Sequence, residues 1–402
     1  MNDADVLIVG GGPAGSSLAC ALARAGVDVH VVDRARFPRA KPCAEYLSPE
    51  ASRLLSSMGA LERVEATGAA ALAGVRVRAP NGAVIAGDFV AAHGFKGFRD
   101  RGLSVRREVL DAILVDCARA HGARVTEGVR VTGLATDAKR RVTGVTTLES
   151  TINARLVIGA DGLRSVVARR LGLARAQRWP RRLALVTHYA GVGDVGDHGE
   201  MHVERDGYVG IADVGNGLTT VALVVPARRS REISGDRAGF LHHWLMSRPH
   251  LAPRFARAER ATPVVATGPF ASHSRRAWAP GAALVGDAAD FFDPFTGEGI
   301  YAALRGGELL GEWVRESLSA NTERAADRAL ASYDAARREE FGGKWLVERV
   351  IGAVVGAAPL INRAALRLAA RKDLADLLIG VTGNFVPARE VIKVGYVWKV
   401  FV

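Results

Sequence analysis

Two loops at opposite ends of this chain have the residue types and spacing for chemistry. The first reads Gly10-Gly11-Gly12-Pro13-Ala14-Gly15. The second runs from Gly286-Asp287-Ala288-Ala289 to Asp293-Pro294-Phe295-Thr296-Gly297-Glu298-Gly299. A glycine loop between a strand and a helix lets backbone approach a pyrophosphate, and the helix N-terminus adds free N–H groups and positive potential. In the first loop Gly10 permits the tight turn, Gly12 the close approach of phosphate, and Gly15 the packing of helix on strand. Pro13 and Ala14 complete that loop. The second loop offers a carboxylate, Asp287, after an apolar strand, then a proline–glycine turn that opens a helix. Together they suggest one large dinucleotide clasped from both ends. FAD fits, with its adenosine diphosphate on the first loop and its ribityl chain and ring on the second.

Particular elements must position these loops. Val6–Val9 is predicted as a strand, Ser16–Ala25 as a helix closed by Gly26, and Val29–Val32 as the next strand, which makes a βαβ unit. Asp33 follows, near the ~20-residue distance expected of a ribose-hydroxyl acceptor, and Arg34 beside it is grouped with the cofactor site. Ser48 is predicted as an N-cap with Pro49 as the first helical residue. Val105–Ala120 has helical period, and Leu156–Ile158 and Ala282–Val285 read as buried parallel strands. Residues 69–98 and 183–225 alternate apolar and polar, with turn signals at Asp206-Gly207 and Asn216-Gly217. After about residue 320 the chain reads as helical, broken by Pro359 and Gly383.

The expected fold is α/β: a Rossmann-like FAD-binding domain, an inserted antiparallel β-sheet substrate domain and a helical C-terminal region. The first comprises residues 1–68, 99–177 and 266–325, the second 69–98 and 178–265, and the third 326–402.

Composition narrows the function classes. The chain has 402 residues, 49% hydrophobic and 24% charged, enough for two or three packed units. Its net charge of +12 comes mostly from scattered arginines, without a dense basic run or interleaved aromatics, which argues against a nucleic-acid partner. Cys20, Cys43 and Cys117 have no metal-type spacing, so neither a metal site nor a disulfide framework is expected, and a reducing cytosol is favoured. The acidic N-terminal residues do not resemble a secretory signal, and no apolar run is long enough to span a bilayer. Residues 341–402 hold nine Lys or Arg against four Asp or Glu among many apolar residues. The plain reading is helices packed on the FAD-binding domain. The functional readings are a cap over a lipophilic substrate and a surface making peripheral contact with an anionic membrane.

The two loops and the intervening Gly159-Ala160-Asp161-Gly162, in this order and spacing, resemble the FAD-dependent oxidoreductases of the p-hydroxybenzoate hydroxylase fold. The resemblance covers roughly residues 1–310. Lys41-Pro42-Cys43, Gly207-Tyr208-Val209-Gly210, the run Asp293–Gly299 and the tail Gly383–Pro387 look most like the geranylgeranyl-reductase-like branch. It implies that Asp287 accepts a hydrogen bond from the ribityl chain, that Arg107 reaches the FAD phosphates, and that Asp161 serves both FAD and nicotinamide contacts. Pro294, Gly297, Glu298 and Gly299 would belong to the loop against the isoalloxazine, and Gly286 is grouped with the cofactor site. The residues alone also allow Asp287 as a helix cap, Asp161 as a turn residue and Arg107 as a solvated helix arginine. The halogenases' Trp-x-Trp-x-Ile-Pro and the reductases' Tyr-x-Trp-x-Phe-Pro motifs are both missing at Gly207–Ala212.

Three residues are catalytic candidates. The resemblance places Cys43 near the flavin, as a proton donor or a pocket wall, although a small buried thiol is an equal reading. His188 is either an acid–base residue or a satisfied structural histidine. Tyr208 is a pocket candidate, as is Glu200. The expectation is an FAD-dependent monooxygenase that hydroxylates a hydrophobic phenolic or polyketide-type aromatic using NAD(P)H and O2. The alternative is reduction of isoprenoid or polyketide alkenes. No second glycine fingerprint is visible, which suits transient NAD(P)H binding. A small anionic substrate would need convergent arginines, but Arg181 and Arg182 precede the predicted strand and Arg205 sits in a turn.

Overall fold

An apolar run buried on both faces favours a parallel sheet covered by helices. In the computed structural model, which describes residues 3–91, 93–176, 179, 181–270 and 272–401, five parallel strands form the centre of an eight-stranded sheet, and the inner ones are such runs. Their order is Ala282–Leu284, Thr151–Gly159, Ala4–Val9, Val29–Asp33 and Arg124–Glu127. Val6 pairs with Leu156 on one side and Val29 on the other, and Val6, Leu7 and Ile8 are completely buried. The first helix is Pro13–Arg24, starting three residues before the predicted Ser16 because proline at a helix start is already set for the first turn. Ser48 caps the helix Pro49–Ser57 by accepting from the Ala51 N–H. The expected domain boundary at 177 and 178 lies outside the described residues.

A second sheet runs in the order Arg182–Ala190, Leu218–Pro226, Gly207–Asp213, His198–Glu204, Gly74–Arg78 and Val84–Asp88. Its alternation is the signal read in the sequence. Asn216 and Gly217 both take positive φ (55° and 71°) in the turn before Leu218–Pro226, as a tight hairpin turn requires. One pair departs from the antiparallel expectation: His198–Glu204 runs parallel to Gly74–Arg78. Arg182 is the first residue of its strand rather than a residue outside it.

The C-terminal part consists mainly of the helices Gly299–Ser319, Glu323–Val355, Ala358–Ala369, Lys372–Thr382 and Val394–Phe401. The break before Ala358–Ala369 falls at 356–357, and Pro359 sits in that helix's first turn, where its missing N–H costs nothing. Gly383 follows Lys372–Thr382 as its C-cap. Of the later helices among the described residues, the long helix Glu323–Val355 is the one that packs extensively on Gly299–Ser319. Ile361, Ala365, Leu368 and Ala375 share a core with Ile85, Ala184 and Val224, so the later helices cover the second sheet instead.

Gly299–Ser319 crosses the first helix with backbones in contact. A Cβ on Gly307 would stand 2.7 Å from the Ala14 carbonyl oxygen and 2.8 Å from the Leu18 nitrogen. Rigid backbone on that side leaves no flexible side chain to yield. Gly307→Val should therefore destabilise the protein by about 1–3 kcal/mol, the cost of overpacking a filled core. Urea unfolding followed by circular dichroism should show a lower midpoint with an unchanged slope. An unchanged midpoint would refute the contact.

Candidate active site

The ends of the two loops open into one continuous cleft of about 2100 Å³, including its open mouth. Gly12, Pro13 and Ala14 line one part, and Gly286, Asp287 and Pro294 to Gly299 another. The second sheet supplies an apolar wall of Ala184, Val186, Met201, Ala222 and Val224. Alternation explains this set: residues of one parity face the cleft, those of the other the outer core of Leu185, Val221 and Leu223. The opposite wall is one stripe of the long helix: Tyr333, Arg337, Phe341, Trp345 and Glu348.

The predicted cofactor residues take different positions. Gly10 has φ +108°, and a Cβ there would meet the Ala160 oxygen at 2.4 Å, so the first loop lies against the Gly159–Gly162 turn. At Gly15 a Cβ would stand 1.9 Å from the Gly10 oxygen. Asp33 is buried and accepts from the Gly11 and Ala35 N–H groups, both at 2.8 Å. Arg34 is exposed and lies off the cleft. Asp161 also stands outside the cleft lining. One of its oxygens accepts from the Val166 N–H at the start of a helix, while Oδ1 is buried without a hydrogen-bond partner. Arg107 is buried at the cleft and places two nitrogens on Asp111, each at 2.8 Å, so it is not a solvated helix arginine.

Asp287 faces the cleft. Burial raises its carboxyl above the usual range, against the pull of Lys41 and Arg107. Burial also lowers Lys41. Gly297 adopts φ +71°, and a Cβ there would press on the Tyr46 ring at 2.9 Å, so glycine suits both the backbone and the contact. Glu298 lies buried between Asn384 Nδ2 at 2.9 Å and Lys344 Nζ at 3.7 Å.

The three catalytic candidates separate. Cys43 lines the cleft, beside Arg107, and accepts from the Glu45 N–H at 3.4 Å. Tyr208 also lines it, but its hydroxyl donates to Asp293 at 2.6 Å, and burial with that carboxylate holds it protonated, well above the usual phenol range. His188 is not part of the cleft lining. Its Nε2 meets Glu45 at 2.7 Å and its Nδ1 meets Thr262 at 3.1 Å, a fully engaged histidine. Glu200 is held by Arg254 and His202, which keep its carboxyl down at about 2 although burial alone would raise it.

Several residues escaped the sequence reading. Glu45 is 3% exposed with φ +65°, a conformation that non-glycine residues rarely adopt. Its carboxylate bridges His188 and the Arg107 N–H. Arg182 pairs with Asp293 at 2.8 Å, so that aspartate carries Tyr208, Arg182 and the Phe295 N–H together. An Asp-Pro turn signal was present at Asp293. Glu348 lines the cleft, and burial, together with the neighbouring Glu298, raises its carboxyl well above the usual carboxylate range. Thr220 Oγ1 and Tyr46 Oη are cleft-side hydroxyl oxygens buried without a partner.

Comparison with known proteins adds to this geometry. A family described as the FAD binding domain matches residues 3–343. The menaquinone reductase of Mycobacterium tuberculosis is 30% identical over 366 residues, 84% of this chain and 83% of the relative. Digeranylgeranylglycerophospholipid reductase 2 of Methanopyrus kandleri is 30% identical over 399 residues, 97% of this chain and 94% of the relative. Among solved structures, the myxobacterial chondrochloren halogenase CndH superposes with a TM-score of 0.81 at 22% identity, over 94% of this chain and 92% of that one. This last likeness concerns the fold.

Asp287→Ala should weaken flavin retention far more than Cys43→Ala. Loss of one charge-assisted hydrogen bond is worth about 1.5–3 kcal/mol, roughly ten- to a hundredfold in affinity. Fluorescence titration of the stripped proteins measures this, and equal losses in the two variants would contradict the assignment.

Proposed function

We propose that this chain, which belongs to the FAD binding domain family, is a monooxygenase that hydroxylates a hydrophobic aromatic substrate using NAD(P)H and O2. It is an FAD-dependent oxidoreductase, and its residues suit that cofactor. The cleft is continuous between the loops, and Gly12 leaves its side open: among the described residues beyond its chain neighbours, only Arg39 Nη2, at 3.7 Å, comes within 4 Å of an added Cβ. Gly12 and Ala14 would hold the diphosphate end, and Asp287 with Gly297 to Gly299 the flavin end. FAD held there would supply the redox chemistry, with NAD(P)H as the electron source.

The observation that carries the reading is the composition of the remaining cleft. Its walls are aliphatic on the sheet side and aromatic at Phe270, Phe295, Phe341 and Trp345, shaped for a planar, apolar molecule. Such walls exclude water from the reacting atoms. Thr220 offers a hydroxyl to orient a polar substituent, and Glu348, whose carboxyl is raised by burial, can donate to a substrate oxygen when it holds a proton. Tyr208 and Arg182 have a positioning role: they fix Asp293, and Tyr208 packs edge-on against Phe295 at 5.0 Å. Arg182 begins its strand rather than preceding it. Its charge is nonetheless taken up by Asp293, so it does not offer a site for a small anion.

A second reading, saturation of an isoprenoid alkene, is favoured by the two reductases of 30% identity. An aromatic ring with a prenyl or alkyl tail would suit the same cleft. Here Cys43 and Glu348 are the cleft-wall groups placed to supply a proton, and Glu348 has its carboxyl raised by burial.

An alkylresorcinol series tests the substrate class. Each buried methylene contributes about 0.8 kcal/mol, so affinity should climb roughly fourfold per carbon until the cleft fills. Flavin spectral shifts report binding. Oxygen uptake matched to NAD(P)H consumption supports hydroxylation, whereas anaerobic turnover of a prenylated substrate supports reduction. Flat affinity along the series, with tight binding of 4-hydroxybenzoate, would reject the lipophilic cleft.

A further inference from the structure

Large apolar side chains exposed to solvent are unevenly distributed. Of fifteen among the described residues, eight fall between 346 and 398. On Val394–Phe401, Tyr396 and Val400 turn inward, and the Tyr396 hydroxyl donates to the Leu374 carbonyl at 3.0 Å. Val394, Val397 and Trp398, spaced i, i+3 and i+4, face outward, with Val394 83% and Trp398 63% exposed. The neighbouring helix Ala358–Ala369 buries Ile361, Ala364 and Leu368 and exposes Leu360 and Leu366, the latter at 60%. These two helices pack on each other. They carry Arg363, Arg367 and Lys399 and no acidic residue.

We propose that this outer face is a docking surface for an anionic lipid bilayer. It rests on the lipophilic-substrate reading only for its purpose. An exposed apolar stripe on one helix, with exposed leucines and basic residues on the helix packed beside it, is the composition of a surface lying in the interfacial plane. Tryptophan is favoured at headgroup depth, and lysine and arginine stems reach past apolar surface to anionic headgroups. Charge decides between a bilayer and a second copy of the chain. A two-fold contact would bring this basic face against itself, whereas anionic headgroups neutralise it. The long helix, which lines the cleft with Phe341 and Trp345, also packs on Ala358–Ala369.

Flotation of the FAD-loaded full chain with vesicles tests this. Binding to vesicles of phosphatidylglycerol and phosphatidylcholine should exceed binding to phosphatidylcholine alone about tenfold, and high salt should abolish the difference. The double variant Val397→Ser, Trp398→Ser should lose about tenfold in vesicle binding with its flavin absorbance retained. If that variant loses flavin, the charge reversals Arg363→Glu and Lys399→Glu, both at exposed positions, decide: they should remove the preference for anionic vesicles. No binding to anionic vesicles, or binding that neither variant changes, would overturn the proposal. So would a dimer, seen by sedimentation, that either variant dissociates. The vesicles contain no substrate, so their failure leaves the cleft reading to the alkylresorcinol series.

Discussion

The structure depends on backbone approaching backbone around Ala14. A Cβ at Gly286 would stand 2.9 Å from the Ala14 Cβ, and one at Gly307 would stand 2.7 Å from its carbonyl oxygen. The second loop and its helix can therefore lie directly on the first helix. That contact brings residues nearly 300 positions apart in sequence into one cleft. Side chains larger than hydrogen would separate the two loops, and a ligand could no longer touch both. Glycine carries a conformational cost in a helix, which close packing of the apolar helix faces offsets.

Electrostatics gives the cleft its second character. Asp287, Asp290, Glu298 and Glu348 all have carboxyls raised by burial, and Lys41 is lowered by the same cause. Charged groups there meet partners: Asp290 with Arg337, Glu298 with Lys344, Asp293 with Arg182. A protonated Glu348 beside apolar walls can act as a hydrogen-bond donor, where an ionised one would be repelled by Glu298. The site thus combines a dry wall with proton-bearing groups at its edge.

Legibility in the sequence followed the range of the interaction. The first glycine loop, the Ser48 cap and the parallel strands follow from local patterns, and all appear in the structure. Glu45 does not, because its left-handed backbone and its contacts with His188 and Arg107 join three distant segments. Arg182 was misplaced by a single residue at a strand end, where propensity gives no sharp boundary. The parallel pairing of Gly74–Arg78 with His198–Glu204 spans more than a hundred residues and leaves no periodic trace. Glu348 looked like an ordinary helix-surface acid. Only the stripe that it shares with Tyr333, Phe341 and Trp345 turns it into the cleft.

The central claim is that one ligand is held at both ends by loops far apart in sequence. Calorimetric titration of the stripped protein with FAD, FMN and ADP measures this most directly. Joining two weakly held halves raises affinity by about 10²–10⁴ over either half, so FAD should bind at least about a hundredfold more tightly than FMN or ADP. Equal affinity for FAD and FMN would show that the glycine loop at residues 10–15 holds nothing, and would contradict the account.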